Sequence, residues 1–355
     1  MRTVHVNAPS KSYDVLIGKD AVTSLGTEAK KLCPNALKVL IVSETNVAPL
    51  YLDKVEEQFV NAGFEVISYV FEAGERSKGI EAIAAMWNKM AEAGFTRTDF
   101  VAGLGGGVTT DMAGFAASTF LRGINVIQIP TSLLAMVDAS VGGKTGIDIP
   151  MGKNQVGAFW QPSLVLEDIS FLKTLPDEVF TEGMGEVIKH AFIMDLELFD
   201  KLEKAGGNIR DDEDLLEEIV CMNVADKASV VGADETDNGR RQTLNYGHTA
   251  GHVIERDSGF TKPHGICVAK GMGIIINACV KAGTLAVSDA DRMKNLLKLY
   301  NLPAEDEITP EQIVSGAMND KKKRGDTLSV ILVNKIGEAE IKKMTASEFL
   351  EFLSV

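Results

Sequence analysis

The chain has 355 residues, with 50 acidic against 36 basic side chains and a formal net charge of −14 at pH 7. This charge argues against a nucleic-acid partner, because phosphate backbones bind basic surfaces. The length predicts two domains. None of the four cysteines forms a C-x-x-C pair, which predicts reduced thiols in place of a disulfide scaffold.

The first residues, MRTVHVNAPSKSYDVLIG, alternate like a β-strand and lack the apolar core of a signal peptide. No apolar run reaches the roughly 18–20 residues that a bilayer-spanning helix needs. We therefore predict a cytoplasmic protein with no membrane partner.

Strands and helices alternate along the first part of the chain. The patterns predict strands at 38–44, 64–71, 99–107 and 124–130, separated by helices at 47–63, 78–94 and 108–123. Such alternation is typical of a parallel sheet with helices on its faces.

Helical patterns dominate after about residue 165. They cover 176–203, 211–231, 243–257, 265–283, 288–299 and 310–318, and one hairpin is predicted at 327–341. The predicted fold class is therefore an α/β nucleotide-binding domain with a mostly parallel sheet, residues 1–165. A mainly α-helical domain that binds metal and substrate would follow it, residues 166–355.

The segment GLGGGVTTD (103–111) joins a predicted strand to a predicted helix. Glycines let a ligand approach the backbone closely, and a helix N-terminus offers N–H groups to a phosphate. Nucleotides bind at such strand ends, and Glu44 and Asn46 end another strand near the expected ribose site. Because the G-x-G-x-x-G spacing is missing, the segment is either a pyrophosphate site or a tight turn.

The segment 129–159 combines paired glycines with polar and basic side chains: Thr131, Ser132, Asp138, Lys144, Lys153 and Asn154. Lysines on glycine-rich loops suit a phosphorylated or carboxylated ligand. A solvated surface loop is the alternative. The apolar stretches SLLAMV and VGAFW favour the ligand site, because their burial would draw the lysines inward.

The stretch LNYGHTAGHVIE (244–255) places His248 and His252 about one helical turn apart, on one face. Glu186 lies in another helical pattern, with Lys189 three residues later, and His264 precedes a further helix. One glutamate with two histidines is typical of a catalytic zinc site that keeps an open coordination position. The residues alone leave open whether these side chains bind a metal or are hydrogen-bonded polar groups.

The motifs and their order resemble those of the 3-dehydroquinate synthases, a family of sugar-phosphate cyclases. The resemblance covers nearly the whole chain. It rests on GERSK (74–78), GGGVTTDMAGFAASTFLRG (105–123), IPTSLLAMVDASVGGKTGID (129–148), GKNQVGAFWQP (152–162), GEVIKHA (185–191), DETDNGRRQTLNYGHTAGHVIE (234–255), KPHGICVAKGM (262–272) and DKKKRG (320–325).

The family makes 3-dehydroquinate and phosphate from 3-deoxy-D-arabino-heptulosonate 7-phosphate, in the shikimate pathway of aromatic amino acid biosynthesis. The resemblance implies a lyase that uses transient oxidation by NAD, β-elimination of phosphate, reduction and an intramolecular aldol closure. It also implies two cofactors, NAD and Zn²⁺ (or Co²⁺), a small sugar phosphate as substrate, and a homodimer.

The resemblance assigns residues to both cofactors. Glu186, His248 and His264 would hold the metal. The NAD site would comprise Glu44, Asn46, Glu75, Lys78, Gly106, Gly107, Val108, Asp111, Thr131, Ser132, Lys144, Lys153, Phe171 and Thr174.

It assigns substrate contacts as well. The phosphate would be bound by Lys144, Asn154, His252 and either Lys321 or Lys322, with Arg122 entering from a neighbouring subunit. The carboxylate would be bound by Lys227 and Arg241, and the ring hydroxyls by Asp138, Lys189 and Asn245. The general base stays open, because the leaving phosphate itself could take the proton.

Several positions depart from the family pattern. Asp237 stands where a glutamate is usual, Asp148 where an asparagine is usual and Ser132 where a threonine is usual, and LPDEVF (175–180) lacks the usual Arg-Glu pair. Two other enzyme classes share the fold-level motifs, a sister sugar-phosphate cyclase and an NAD-dependent polyol dehydrogenase. The pair Lys227 and Arg241 favours the synthase, because a substrate without a carboxylate does not need both cations. A non-catalytic regulator is disfavoured, since every implied metal ligand is present.

Overall fold

In a computed structural model of the chain, the described residues are 1–321 and 327–354, and side chains are described for 1–318 and 327–354. Contacts divide the chain into two compact units. The first comprises Met1–Pro176 and Glu213–Thr236, and the second Asp177–Asp212 and Asp237–Val355. The boundary predicted from the sequence lies after residue 165. Within the described residues, every helix is too short or too polar to cross a membrane.

The strands, in chain order, are β1 (Arg2–Asn7), β2 (Ser12–Gly18), β3 (Lys38–Glu44), β4 (Glu65–Phe71), β5 (Phe100–Gly105), β6 (Asn125–Pro130), β7 (Lys144–Ile149), β8 (Gly152–Phe159), β9 (Leu164–Asp168), β10 (Thr327–Lys335) and β11 (Glu338–Thr345). Strands β1 to β9 belong to the first unit. The β10–β11 hairpin belongs to the second unit and confirms the hairpin predicted at 327–341.

The helices are α1 (Leu25–Leu32), α2 (Ala48–Asn61), α3 (Ile80–Glu92), α4 (Gly107–Thr119), α5 (Asp177–Ile193), α6 (Leu196–Ala205), α7 (Glu213–Ala233), α8 (His248–Asp257), α9 (His264–Lys281), α10 (Val287–Leu299), α11 (Pro310–Lys321) and α12 (Ala346–Ser354). Helices α1 to α4 and α7 belong to the first unit, and the others to the second.

The first unit is built on a seven-stranded sheet in the order β1-β2-β9-β6-β5-β3-β4. Only the β1–β2 pair is antiparallel. Strand β3 shows why helices cover both faces, since its side chains alternate between two cores. Val39 and Ile41 pack with residues of α1 and α2, whereas Leu40 and Val42 pack with residues of α3 and α4. The predicted fold class is confirmed.

The strand order reverses between β3 and β5. The chain runs from β3 to β4 on one side and from β5 to β6 on the other. In open α/β sheets, ligands bind beyond the carboxyl ends of the strands at such a reversal. Glu44 and the glycine loop end these two strands, so the topology supports the interpretation of both as ligand-binding positions.

Two predicted helices are wrong in extent. The pattern at 176–203 predicts one helix, but α5 ends at Ile193 and α6 begins at Leu196. The Asp195 side chain accepts a hydrogen bond from the Leu198 N–H at 2.9 Å and caps α6. The helix predicted at 243–257 begins only at His248, because Gly247 has a left-handed φ of 78°.

The segment 129–159, interpreted as a loop, contains regular structure. A short π-helix covers Ala135–Ala139, and β7 pairs with β8 as an antiparallel hairpin. The glycines on facing strands explain how the hairpin closes, since a Cβ on Gly157 would overlap the carbonyl oxygen of Thr145. The predicted lysines Lys144 and Lys153 therefore lie on strands.

Asp99 fixes the start of the central strands. Its buried carboxylate accepts hydrogen bonds from the N–H groups of Leu37 and Lys38, both at 2.9 Å, and from Thr96 N at 2.7 Å. Burial would raise the pKa of Asp99, but these hydrogen bonds outweigh it and lower that pKa. The ionised carboxylate therefore joins the turn before β5 to the beginning of β3.

We expect Asp99→Asn to lower the free energy of unfolding by about 2 kcal/mol at pH 7, because the amide nitrogen cannot accept from Thr96. A carboxyl whose pKa is lower in the folded state stabilises the fold at pH values above its unfolded pKa of about 4. That stabilisation is lost as the pH falls through the folded pKa. Urea unfolding at pH 7 and pH 3 should therefore show the deficit shrinking at pH 3. Asp53→Asn, at an exposed position on α2, is the matched control, and an equal deficit at both pH values would contradict the assignment.

Candidate active site

Three helices of the second unit approach closely at glycines. A Cβ on Gly185 of α5 would lie 2.8 Å from the carbonyl oxygen of Gly265, at the start of α9. A Cβ on Gly271 of α9 would overlap the carbonyl oxygen of Gly247, just before α8. Only residues without a side chain permit this spacing. The close approach brings together the residues next to these glycines.

The residues next to Gly185, Gly247 and Gly265 are the three predicted metal ligands Glu186, His248 and His264. Oε1 of Glu186 lies 3.7 Å from Nε2 of His248 and 3.7 Å from Nε2 of His264. One ligand atom from each residue lies within 4.8 Å of the others. Lys189, the predicted neighbour of Glu186, donates to its other oxygen, Oε2. The structure therefore brings together a glutamate and two imidazoles that are far apart in sequence.

The donor set fits a cation. Glu186 is 0 % exposed, yet within the described part of the chain its Oε1 has no hydrogen-bond partner. Leaving a buried carboxylate oxygen unpaired costs stability. A divalent ion bound by Oε1 and the two Nε2 atoms would satisfy it, and two imidazoles with one carboxylate form a typical zinc set.

Both imidazoles present the same nitrogen to Glu186. His248 Nδ1 donates to the Tyr246 carbonyl oxygen at 3.1 Å, so its Nε2 carries the lone pair. Burial, followed by the charges of Lys189, His252 and His264, lowers the pKa of His248 well below its usual value. His248 is therefore neutral, the form that binds metals.

His264 is oriented by two glutamates that the sequence analysis missed. Its backbone N–H donates to Glu182 Oε1 at 3.0 Å, and its Nδ1 to Glu255 Oε2 at 3.3 Å. Burial lowers the pKa of His264, but the hydrogen bond to Glu255 and nearby carboxylates raise it overall. The spacing carried a signal, because Glu255 lies seven residues after His248 on the same helical face.

A cavity of about 590 Å³ in the second unit adjoins the cluster. Its lining includes His248 and the predicted substrate contacts Asn245 and His252. It also includes Asp237, where the family pattern has a glutamate. The His252 ring lies 5.2 Å from the His248 ring, between centroids. Arg241, a predicted carboxylate contact, is fully buried on the turn just before α8.

Two predicted phosphate contacts lie where the structure describes no side chains. Lys322 lies outside the described residues, and the side chain of Lys321 is not described either. Their roles stay predictions.

In the first unit, Lys78 is the centre of a polar network. Its Nζ lies 2.8 Å from Asp111 and 3.6 Å from Glu75, and it donates to Asn154 Oδ1 at 2.6 Å. Lys153 also lies 3.9 Å from Glu75. Burial raises the pKa of Asp111 to about 6 against the opposing effect of Lys78. Five residues predicted to contact cofactor or substrate are thus brought together.

The departure at Asp148 has a structural role. Its Oδ1 accepts from the backbone N–H of Asn154 at 2.7 Å, and Asn154 has a left-handed φ of 53°. Asparagine tolerates that conformation better than most residues. Asp148 therefore holds the turn from which the Asn154 amide reaches Lys78.

The glycine loop lies where the prediction placed it. Strand β5 ends at Gly105, Gly106 follows, and α4 begins at Gly107, so Val108 and Asp111 lie in the first turns of a helix. Thr131 N–H donates to the Gly105 carbonyl oxygen at 3.0 Å, and a Cβ on Gly106 would lie 3.5 Å from Ser132 Oγ. The ends of β5 and β6 thus meet at a helix N-terminus, which suits a phosphate.

The remaining predicted residues of the first unit have varied surroundings. Lys227 of α7 is paired with the Asp138 carboxylate, and Glu44 Oε2 accepts from Asn46 N–H at 2.7 Å. The Phe171 ring packs on Tyr51, whose hydroxyl is hydrogen-bonded to Thr174. Arg122 and Lys144 are exposed.

Solved structures share this fold over almost the whole chain. One is 2-deoxy-scyllo-inosose synthase complexed with carbaglucose-6-phosphate, NAD⁺ and Co²⁺, with a TM-score of 0.88, 22% identity and 99% of both chains covered. Another is 2-epi-5-epi-valiolone synthase from Streptomyces hygroscopicus subsp. jinggangensis with NAD⁺ and Zn²⁺ bound, with a TM-score of 0.86, 26% identity and 97% and 96% covered. The chain therefore has the fold of these two sugar-phosphate cyclases.

Sequence comparison identifies one family within the sugar-phosphate cyclases. Residues 68–182 match the N-terminal domain of 3-dehydroquinate synthase, and residues 183–323 match its C-terminal domain. The chain is 40% identical over 362 residues to 3-dehydroquinate synthase of Clostridium acetobutylicum, with 100% of both proteins covered. The chain belongs to the 3-dehydroquinate synthase family, which confirms the resemblance seen in the motifs.

We expect His264→Ala to weaken divalent-metal binding by at least about 100-fold, since outer partners of metal ligands alone account for 10–100-fold. Metal retained after dialysis, measured by mass spectrometry, is the direct readout. His5→Ala is the control, because His5 lies on β1 in the other unit. A His264→Ala protein that retains a full equivalent of tightly bound metal would contradict the assignment.

Proposed function

We infer that the protein converts 3-deoxy-D-arabino-heptulosonate 7-phosphate to 3-dehydroquinate and phosphate. Full-length relatedness to 3-dehydroquinate synthases supports this reaction. The structural observation that carries it is the buried Glu186 oxygen facing two imidazole nitrogens. Such a cluster matters for a reaction in which charge develops repeatedly on substrate oxygens.

The cofactors we assign are NAD and a divalent ion, Zn²⁺ or Co²⁺. The related 2-epi-5-epi-valiolone synthase, 26% identical, was solved with NAD⁺ and Zn²⁺. A bound divalent ion would supply polarisation of substrate hydroxyls, and bound NAD would supply a hydride acceptor that is restored within each turnover. Glu186, His248 and His264 would hold the metal, and the loop at Gly106 with the Lys78 network would hold NAD.

The residues of the second unit would bind and orient the substrate. The cavity of about 590 Å³ is in the size range of small-molecule sites. Asn245 and His252 line it with donor groups for hydroxyl and phosphate oxygens. Lys189 holds Glu186 Oε2 and so directs Oε1 toward the imidazoles.

Cations would recognise the substrate carboxylate. Arg241 is fully buried, and a guanidinium matches a carboxylate in bidentate geometry. Lys227 is paired with Asp138, which was assigned to ring hydroxyls. We propose that Lys227 and Asp138 act as a pair. The Lys227 ammonium would orient the Asp138 carboxylate and would also attract the substrate carboxylate.

A sister cyclase acting on another sugar phosphate is the second candidate. Its fold is the same, as the TM-score of 0.88 to 2-deoxy-scyllo-inosose synthase indicates. Identity separates the two, since it is 40% to a 3-dehydroquinate synthase and 22% to that cyclase. The buried Arg241 also favours a substrate that carries a carboxylate.

We further propose a homodimer with Arg122 reaching a neighbouring subunit, and a cytoplasmic location. The exposure of Arg122 supports the first proposal. Four free cysteines, three of them buried, support a reducing compartment.

We expect purified protein with one equivalent of Zn²⁺ and trace NAD⁺ to release phosphate catalytically from the heptulosonate phosphate. The hydride taken by NAD returns within each turnover, so absorbance at 340 nm should show no net NADH. Net NADH would instead indicate a dehydrogenase. Phosphate release from glucose 6-phosphate or sedoheptulose 7-phosphate, with none from the heptulosonate, would indicate a sister cyclase.

We expect Arg241→Gln to raise KM for the sugar phosphate by about 10–100-fold, because one charged hydrogen-bonding partner contributes about 1.5–3 kcal/mol. The Kd for NAD should change less than about twofold, measured by calorimetry. Arg240→Gln, at the exposed neighbouring position, is the matched control and should change neither. Equal losses in substrate and NAD binding by Arg241→Gln would show that the residue is misassigned.

A further inference from the structure

A second group of ligand-type side chains lies beside the Glu186 cluster and shares one residue with it. His252 and Glu255 lie three residues apart on α8, and His264 begins α9. One ligand atom from each of the three lies within 4.8 Å of the others. The His252 ring is 5.9 Å from the His264 ring, between centroids. These contacts define a donor set of two imidazoles and one carboxylate.

We propose that His252, Glu255 and His264 form a second, weaker position for a divalent metal ion. We call it the outer position, and the one formed by Glu186, His248 and His264 the inner position. Two imidazoles and a carboxylate suit Zn²⁺, Co²⁺ or Ni²⁺. The helix supports the geometry, because residues three apart on α8 share one face.

The shared His264 ring makes the two positions unequal. Its Nε2 faces the inner position, 3.7 Å from Glu186 Oε1, and its Nδ1 faces the outer one, 3.3 Å from Glu255 Oε2. A neutral imidazole has one lone pair and one N–H. With an ion on Nε2, Nδ1 keeps its proton and donates to Glu255. An outer ion has to displace that proton, so it binds more weakly and releases a proton on binding.

Local charge favours a cation on this side. Two carboxylates besides Glu186 contact His264: Glu255 Oε2 lies 3.3 Å from its Nδ1, and Glu182 Oε1 accepts from its backbone N–H at 3.0 Å. Glu255 is only 7 % exposed, so its charge is weakly screened by solvent. A divalent ion would offset part of this concentrated negative charge.

The outer position is accessible. His252 is exposed and lines the cavity of about 590 Å³. An ion bound there would occupy the imidazole to which we assign the substrate phosphate. Excess metal should therefore inhibit the enzyme competitively with the sugar phosphate, a consequence that rests on the proposed function. Metal binding to the outer position does not depend on the proposed function.

The test titrates tag-free, metal-stripped, full-length protein with Co²⁺ and measures bound equivalents by equilibrium dialysis and mass spectrometry. Wild type should bind two equivalents, the second at least 10-fold more weakly than the first. The visible spectrum of Co²⁺ should change again as the second ion binds. His252→Gln should lose the second equivalent and retain the first, because the exposed His252 is not an inner ligand.

His5→Ala is the matched control. His5 Nδ1 lies 2.8 Å from Asp14 Oδ1, which makes this pair another exposed imidazole–carboxylate pair. The control should retain both equivalents. Loss of the second equivalent in His5→Ala would overturn the proposal, because the weak ion would then be bound at the β1–β2 hairpin.

Two other outcomes would overturn it: wild type that binds fewer than two equivalents at 100-fold excess Co²⁺, and His252→Gln that keeps both. The phosphate-release assay tests the proposed function separately from the metal titration. If the protein releases phosphate at one equivalent of metal but binds no second ion at any excess, only the proposal of the outer position is contradicted. If the protein binds two equivalents but releases no phosphate, the proposed reaction is contradicted and the outer position is supported.

Discussion

The backbones of α5, α8 and α9 contact one another at glycines, and each residue assigned to the inner metal position is next to one of those glycines. Glu186 follows Gly185, His248 follows Gly247, and His264 precedes Gly265. A Cβ on Gly265 would overlap the carbonyl oxygen of Glu182, the residue that also accepts the His264 N–H. Catalytic groups tolerate displacements of well under about 1 Å. One added methyl group at this contact would therefore disturb the ligand set, the residues that orient it and the adjoining cavity together.

The first unit satisfies a different constraint. Parallel strands end at one edge of a sheet, so loops distant in sequence meet there without special packing. The ends of β3, β5 and β6 bring Glu44, Gly106 and Thr131 to that edge. The buried Lys78 then joins Asp111 to Asn154 from outside the sheet. The sheet thus gathers the backbone groups that we assign to a phosphate, and the Lys78 network holds the polar side chains of the same unit together.

Sequence patterns predicted the elements that local chemistry specifies. A short apolar run located β3 at 38–44. Residue types made Glu186, His248 and His264 candidates for one cluster, and the family resemblance then assigned them to a metal. Long-range packing was not predictable in this way. The helix break at Asp195 depends on one capping hydrogen bond inside a helical pattern, and the Lys78 network forms only after several loops converge. Glu182 and Glu255 looked like ordinary helical acids, because only the packing of α9 against α5 and α8 brings them to His264.

The return of the chain to the first unit has a consequence for synthesis. Helix α7 packs against β1 and β2, yet it is encoded after α5 and α6, which belong to the second unit. Domains generally fold as units while the chain emerges from the ribosome. Here the N-terminal sheet lacks one of its covering helices until residues near Ala233 have emerged. A nascent chain that stalls between α6 and α7 would therefore leave the face of β1 and β2 that α7 covers exposed.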